Sequence, residues 1–212
     1  MATTRREPAC GRRHATLVLL ALLFGSGCTT FAPIEPAAQF HTGRFSASVS
    51  RGEQREAVSG RFSLAVSADR TTLDLASPLG NTLARIEAVA AGATLTAPQA
   101  DGTLATWKGD SPDALAEAVL GYRLPVSGLA DWIAGRAVPG HAARVFPPTG
   151  PAQRIEQDGW AIDIEERFAD TGAPRRLSFD RDGEGPAAPS VRLRLVLDDA
   201  SGTLGAAERS RP

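Results

Sequence analysis

Apolar and polar side chains alternate with a period of two along most of this chain, the mark of strands with one dry and one wet face. From Val58 to Val66 the even positions are apolar apart from Gly60, and the odd positions are Ser59, Arg61, Ser63 and Ala65. Trp160, Ile162, Ile164 and Phe168 alternate with Asp163, Glu165 and Arg167. Val191, Leu193, Leu195 and Leu197 alternate with Arg192, Arg194 and Asp198. Phe45, Ala47 and Val49 are separated by small polar residues, as are Leu73 and Leu75. Further strands are expected near 82–88, 93–97, 103–107, 153–157 and 175–180, about ten or eleven in all. Arg51-Gly52, Pro78-Leu79-Gly80, Asp101-Gly102, Asp158-Gly159 and Gly183 to Pro186 supply the turns between them.

Two segments break this pattern with a helical one. The first opens at Ser111-Pro112, an N-cap followed by proline at the first helical position, and closes at Gly121. Its apolar stripe reads Leu115, Ala118 and Val119. The second opens at Ser127, places Leu129, Trp132 and Ile133 at i, i+3 and i+4, and closes at Gly135. Each must lay its stripe on something, and the one-faced sheet is the available partner. Leu129, Trp132 and Ile133 are expected to face inward, against Phe62, Leu64 or Ile162. The fold class is therefore mainly β (α+β), one open antiparallel sheet plugged by short helices. Such a sheet can enclose an apolar hollow or be filled by its own side chains. Ala47, Gly60, Ala84 and Ala88 are the local hints of space.

Composition fits a turn-rich β protein: Gly and Pro are frequent, with 21 and 15 residues, and aromatics make up 6% of the 212 residues. The first 27 residues read as a signal peptide. Arg5, Arg6, Arg12 and Arg13 form its basic start, and Ala15 to Phe24 an apolar run too short to span a bilayer as a helix. Gly25-Ser26-Gly27-Cys28 follows and resembles a bacterial lipobox, in which the cysteine is lipidated and becomes the new N-terminus. Residues 28–40 then form the lipidated N-terminus and a flexible tether. A domain over 41–199 and a polar tail over 200–212 complete the organisation. Losing the leader removes four arginines and one glutamate, leaving 19 basic and 23 acidic side chains, net −4. Nothing in that balance calls for nucleic acid. Cys28 is then the sole cysteine, so the domain folds without disulfides.

Catalytic patterns are missing. His41 and His141 stand a hundred residues apart, outside any metal-ligand spacing, and are expected at the surface. There is no G-x-S-x-G, H-E-x-x-H or Walker-type loop. Glu165 and Glu166 are neighbours on a strand and point to opposite faces, which rules out a simple acid–base pair. No enzyme activity, metal or cofactor is expected.

The order of several motifs is similar to that of one family. Gly43-Arg44-Phe45 is followed by Ser77-Pro78-Leu79-Gly80 and Asp101-Gly102. Leu120-Gly121-Tyr122-Arg123-Leu124-Pro125-Val126 then leads into Leu129-Ala130-Asp131-Trp132-Ile133-Ala134-Gly135, and Gln157-Asp158-Gly159-Trp160 follows. In this order the chain resembles the outer-membrane lipoprotein receptor family LolB over roughly residues 40 to 199. The resemblance implies a half-closed antiparallel β-barrel with helices over one mouth. It implies a receptor, lipid-anchored in the outer membrane of a Gram-negative bacterium and facing the periplasm. Such a receptor takes acylated lipoprotein cargo from a LolA-type periplasmic carrier and inserts it into the inner leaflet of that membrane, acting as a monomer. It implies an acyl cavity lined by Phe45, Phe62, Leu64, Leu73 and Leu75 from the early strands, Leu129, Trp132 and Ile133 from the second helix, and Trp160 and Ile162 from a late strand. It implies that the turn at Pro78, Leu79 and Gly80 touches the bilayer. An anchored lipid sensor and a structural scaffold of the same β architecture remain the alternatives.

Overall fold

The period-two segments form strands that pair edge to edge into one sheet. The computed structural model describes residues 39–183, 185 and 188–199. The leader, Cys28, residues 29–38 of the tether and the tail from residue 200 lie outside the described residues.

Eleven strands are present: β1 (Gln39–Arg51), β2 (Gln54–Val66), β3 (Arg70–Ala76), β4 (Thr82–Val89), β5 (Gly92–Pro98), β6 (Leu104–Gly109), β7 (Ala143–Phe146), β8 (Arg154–Gln157), β9 (Trp160–Arg167), β10 (Pro174–Arg181) and β11 (Ser190–Leu197). Strand β1 begins at Gln39, so Gln39 and Phe40 belong to the sheet rather than to the tether. The order across the sheet is β6-β5-β4-β3-β2-β1-β11-β10-β9-β8-β7, and every neighbouring pair is antiparallel. β6 and β7 do not pair with each other, so the sheet stays open.

Register follows the alternation. Phe45, Ala47 and Val49 of β1 stand opposite Leu195, Leu193 and Val191 of β11, all buried on one face. Phe62 and Leu64 of β2 stand opposite Leu75 and Leu73 of β3 on the same face. Gly60 lies where a Cβ would run into the carbonyl of Ala76 and the ring of Phe45. It lets strands bend closely past one another and opens no space of its own. β7 was not anticipated from the sequence. It is four residues long, mostly exposed and paired on one side, so it carries no alternation to read.

The chain leaves the sheet at one edge, β6, and returns at the other, β7. The connection carries α1 (Pro112–Leu120) and α2 (Leu129–Ile133). Ser111 caps α1 by accepting the Ala114 N–H at 3.2 Å, and Gly121 ends it with φ 76°. Pro112, Leu115 and Ala116 are buried, whereas Ala118 of the expected stripe is exposed. The inward face is thus rotated towards Ala116. α2 starts at Leu129, two residues later than expected, because residues 126–128 form a tight turn closed by the Leu129 N–H on the Val126 carbonyl at 3.3 Å.

Leu129, Trp132 and Ile133 are 3%, 2% and 1% exposed. The Trp132 ring lies 6.3 Å from that of Phe179, and its Nε1–H donates to Gln157 Oε1 at 2.9 Å. That oxygen also accepts the Val138 N–H at 2.8 Å, while Gln157 Nε2 donates to the carbonyls of Val138 and His141. The buried amide is fully satisfied, and it ties α2 and the following loop to β8. Trp132 is therefore packed in the core, held by the Gln157 amide and the Phe179 ring. His41 departs from its expected surface position: it occupies an inward β1 site, is 3% exposed, and has both ring nitrogens unpartnered among the described residues. Burial lowers its pKa below the ordinary value, which keeps the imidazole neutral.

Trp132→Ala is expected to cost about 3–5 kcal/mol of unfolding free energy, as for a large side chain lost from a packed core. Gln157→Ala should cost about 2 kcal/mol or more by leaving the Trp132 and Val138 donors unpaired. Urea titration of both variants checks this. A loss under about 1 kcal/mol in each would contradict the packing described here.

Candidate functional site

A hollow of about 180 Å³ lies between the inner face of the sheet and the segment joining α1 to α2. Its floor is Phe45 and Ala47 of β1, Val58 and Phe62 of β2, Leu73 and Leu75 of β3, Leu83 and Ala84 of β4, and Leu193 and Leu195 of β11. Its roof is Leu120, Tyr122, Leu124, Pro125, Val126 and Leu129. No charged side chain lines it. Its lining suits a hydrocarbon, with the Tyr122 hydroxyl the one polar side-chain group among its lining residues.

The structure places the ten residues expected at this cavity in three groups. Phe45, Phe62, Leu73, Leu75 and Leu129 line the hollow. Leu64, Ile133 and Ile162 are no more than 1% exposed and fill the core beside it. Trp132 and Trp160 are buried further along the sheet, next to a polar cleft that also contains His141, Asp158 and Arg181. Of the small residues noted above, Ala47 and Ala84 line the hollow, whereas Gly60 and Ala88 do not.

Several lining residues carry no simple sequence signal. Leu83 is out of phase with Ala84, but the β3–β4 register slips between Leu75 and Ala76, leaving Leu83 as the extra residue of a β-bulge. A bulge re-aims a side chain, and here it lets Leu83 join Ala84 on the hollow. Residues 121–126 are neither strand nor helix, so no period exposes their inward face.

Polar contacts behind the roof hold it down. Asp113 Oδ1 accepts the Val126 N–H at 2.9 Å and the Ser127 N–H at 3.0 Å. Arg51 donates to the Gly121 carbonyl at 2.8 Å, and Arg123 pairs with Glu117 at 2.8 Å. Burial raises the Asp113 carboxyl above its ordinary range, an effect that its backbone donors and Arg123 only partly offset. Burial also raises the Tyr122 phenol, helped by Glu56 and opposed by Arg51.

The β3–β4 turn projects from the hollow's wall. The Gly80 N–H donates to the Ser77 carbonyl at 2.9 Å, and Gly80 takes φ 89°, which glycine accepts freely. The Asn81 N–H donates to Ser77 Oγ at 3.1 Å. Leu79 at the tip is 90% exposed. Leu75 and Leu83, four residues to either side of it, both line the hollow. The hairpin thus joins the apolar interior to an apolar tip.

A second, larger concavity of about 780 Å³ crosses β7 to β10, but Arg144, Arg154, Glu156, Asp158, Asp180 and Arg181 line it, which makes it unfit for an acyl chain. Among the described residues no group of three His, Cys, Asp or Glu could hold a metal ion, and no helix is long and apolar enough to cross a membrane.

The family profile described as "Outer membrane lipoprotein LolB" matches residues 40–199. The chain belongs to the LolB family. A protein of Cupriavidus metallidurans named outer-membrane lipoprotein LolB is 36% identical over 203 residues, covering 88% of this chain and 96% of that one. One of the same name from Bordetella petrii is 41% identical over 160 residues, covering 73% and 77%. Another from Bordetella pertussis is 33% identical over 191 residues, covering 87% and 92%. The LolB family is one of outer-membrane lipoproteins. The LolB-like region begins one residue into β1 and ends two residues after β11, so it coincides with the sheet.

The roof latch gives a test with a sign. A carboxyl whose folded-state pKa is raised favours the protonated form in the folded chain. Its stabilising contribution is full below the ordinary value of 3.8 and is lost as pH rises through the folded value. Asp113→Asn keeps an oxygen for both N–H groups and removes the buried charge. Its stability relative to the parent should therefore rise as pH climbs from below 3.8 towards neutrality. Asp113→Ala breaks the latch and should cost about 1–3 kcal/mol. Urea unfolding across pH checks both, and a parent–Asn difference independent of pH would contradict the burial of this charge.

Proposed function

We propose that this LolB-family chain receives lipoproteins from a LolA-type soluble carrier, shelters their acyl chains in the hollow, and releases them into the inner leaflet of the outer membrane. The observation that carries this reading is the uncharged hollow whose wall continues into a hairpin tipped by an exposed leucine. A scaffold with a filled core needs neither feature.

The physical demands of transfer agree with it. Each methylene withdrawn from water is worth about 0.8 kcal/mol, so acyl chains cannot cross the periplasm unshielded. A receiver without fuel must hold them more favourably than the donor and less favourably than the bilayer. At about 180 Å³ the hollow is smaller than common ligand pockets of roughly 300–1,000 Å³. Cargo must therefore widen it, and the part free to yield is the roof over residues 120–126, held by the Asp113 and Arg51 contacts rather than by a strand ladder. A cavity that must be opened grips its guest incompletely, which suits onward release.

In this scheme Cys28 carries the lipid anchor and Leu79 enters the bilayer at the moment of delivery. Full burial of one leucine side chain is worth roughly 1.5–3 kcal/mol, enough to bias contact without fixing the domain in place. Mass spectrometry of the membrane-extracted protein should find an acylated N-terminus at Cys28. A Leu79→Glu variant supplied with carrier-bound lipoprotein and liposomes should accept cargo at the parental rate and deliver it at least tenfold more slowly. Delivery at the parental rate would overturn the role of Leu79. Failure to accept cargo by the parent protein itself would overturn the transfer reading.

A further inference from the structure

The outer face of the central strands carries arginines that the transfer reading does not use. Arg44 of β1 stands directly opposite Arg61 of β2, and Arg194 of β11 stands opposite Ser46, the next outward residue of β1. Ser46 in turn faces Ser59 on β2. Arg44, Arg61 and Arg194 are thus gathered on three adjacent strands around two small hydroxyl residues. Beside them runs a trough of about 300 Å³, floored by Ser46, Ser48 and Ser59 and walled by Arg55, Arg192 and Arg194.

Two features separate this patch from an ordinary solvated face. Other outward arginines find carboxylates: Arg192 pairs with Asp180, Arg176 with Glu166, Arg85 with Asp74, and Arg154 with Asp163. Arg44, Arg55, Arg61 and Arg194 have no such partner among the described residues. Moreover, like charges placed directly across an antiparallel pair repel and cost stability. The Arg44–Arg61 pair accepts that cost at the centre of the sheet, on a chain whose net charge is −4 once residues 1–27 are removed.

We propose that this face binds the anionic phospholipid headgroups of the leaflet that holds the protein's own anchor. Guanidinium forks match phosphate oxygens in pairs, and serine hydroxyls add short donors at the same depth. The occupant follows from covalent connectivity and charge. Cys28 stands eleven residues before Gln39, the start of the strand that carries Arg44, so the anchor lies within about 40 Å of chain from this face. A cationic face held so close to a bilayer meets a high local concentration of lipid phosphate. The inference rests on the membrane-delivery reading and adds an orientation: the outer face of β2, β1 and β11 lies towards the leaflet.

The test uses the secreted full-length chain carrying Cys28→Ala, so that the anchor does not mask binding. Co-sedimentation is measured with vesicles of phosphatidylcholine alone and of phosphatidylcholine with added phosphatidylglycerol. The parent should prefer the anionic vesicles, and rising salt should erase the preference. Replacing Arg44, Arg61 and Arg194 with Gln should remove it, by about fivefold for each arginine and about 100-fold for all three. A thermal melt like the parent's shows that the fold is kept. Leu79→Gln, which adds no charge, should weaken binding to both vesicle types alike and leave their ratio intact, so failure of the Leu79 role and failure of the arginine face are separable. Equal parental binding to neutral and anionic vesicles overturns the proposal. So does a triple variant that keeps the anionic preference. A triple variant that binds vesicles normally but fails to take cargo from the carrier also overturns it, in favour of a protein-docking face.

Discussion

The two edges of the sheet do not meet, and this leaves a broad apolar surface that the strands cannot seal by themselves. Chain order supplies the cover: β6 ends at one edge, β7 begins at the other, and residues between them must cross the inner face. The crossing is anchored unequally. At its far end the buried Gln157 amide locks Trp132 and Val138 against β8. In its middle, residues 121–127 rest on Asp113 and Arg51 contacts at the rim. The sheet is thus closed firmly over one part of its face and loosely over another, and the hollow lies under the loose part.

Much of this architecture is legible in the sequence, for a physical reason. An antiparallel sheet with one wet face writes its register as alternation, so the inner residues of β1, β2, β9 and β11 can be read directly. Capping chemistry marks α1 as plainly, from Ser111-Pro112 to Gly121. The tight turn that exposes Leu79 is likewise written in Pro78 and Gly80. What the sequence conceals depends on contacts between distant segments. Leu83 reaches the hollow through a bulge, and Leu124 to Val126 reach it through a loop shaped by Asp113, thirteen residues from Val126. Ile162 shares the strand alternation of the lining residues, and Trp132 the helical stripe of Leu129, but both meet partners that fill their space. Periodicity tells which face a residue takes, not whether that face is packed or left open. His41 shows the same limit, since its place in the β1 alternation outweighed its polarity.

The proposed transfer would work by intermediate affinity. The family shares an outer-membrane location, and in this chain the means for passing a hydrocarbon along lie close together. The apolar floor is a hydrogen-bonded sheet, the roof is held by a few side-chain contacts, and a leucine-tipped hairpin extends from the floor's own strands. The small residues Ala47 and Ala84 leave space where larger side chains would complete the core.

Filling that space is the most direct test. Ala84→Phe places an aromatic ring in the hollow without touching the roof latch or the Leu79 turn. Binding of a fluorescent sixteen-carbon fatty acid to the purified protein is then measured alongside its thermal melt. If the hollow is where acyl chains reside, the affinity falls at least tenfold while the melting temperature stays near the parental value. Unchanged affinity in a folded Ala84→Phe protein would place the acyl chains elsewhere and contradict the role given to the hollow.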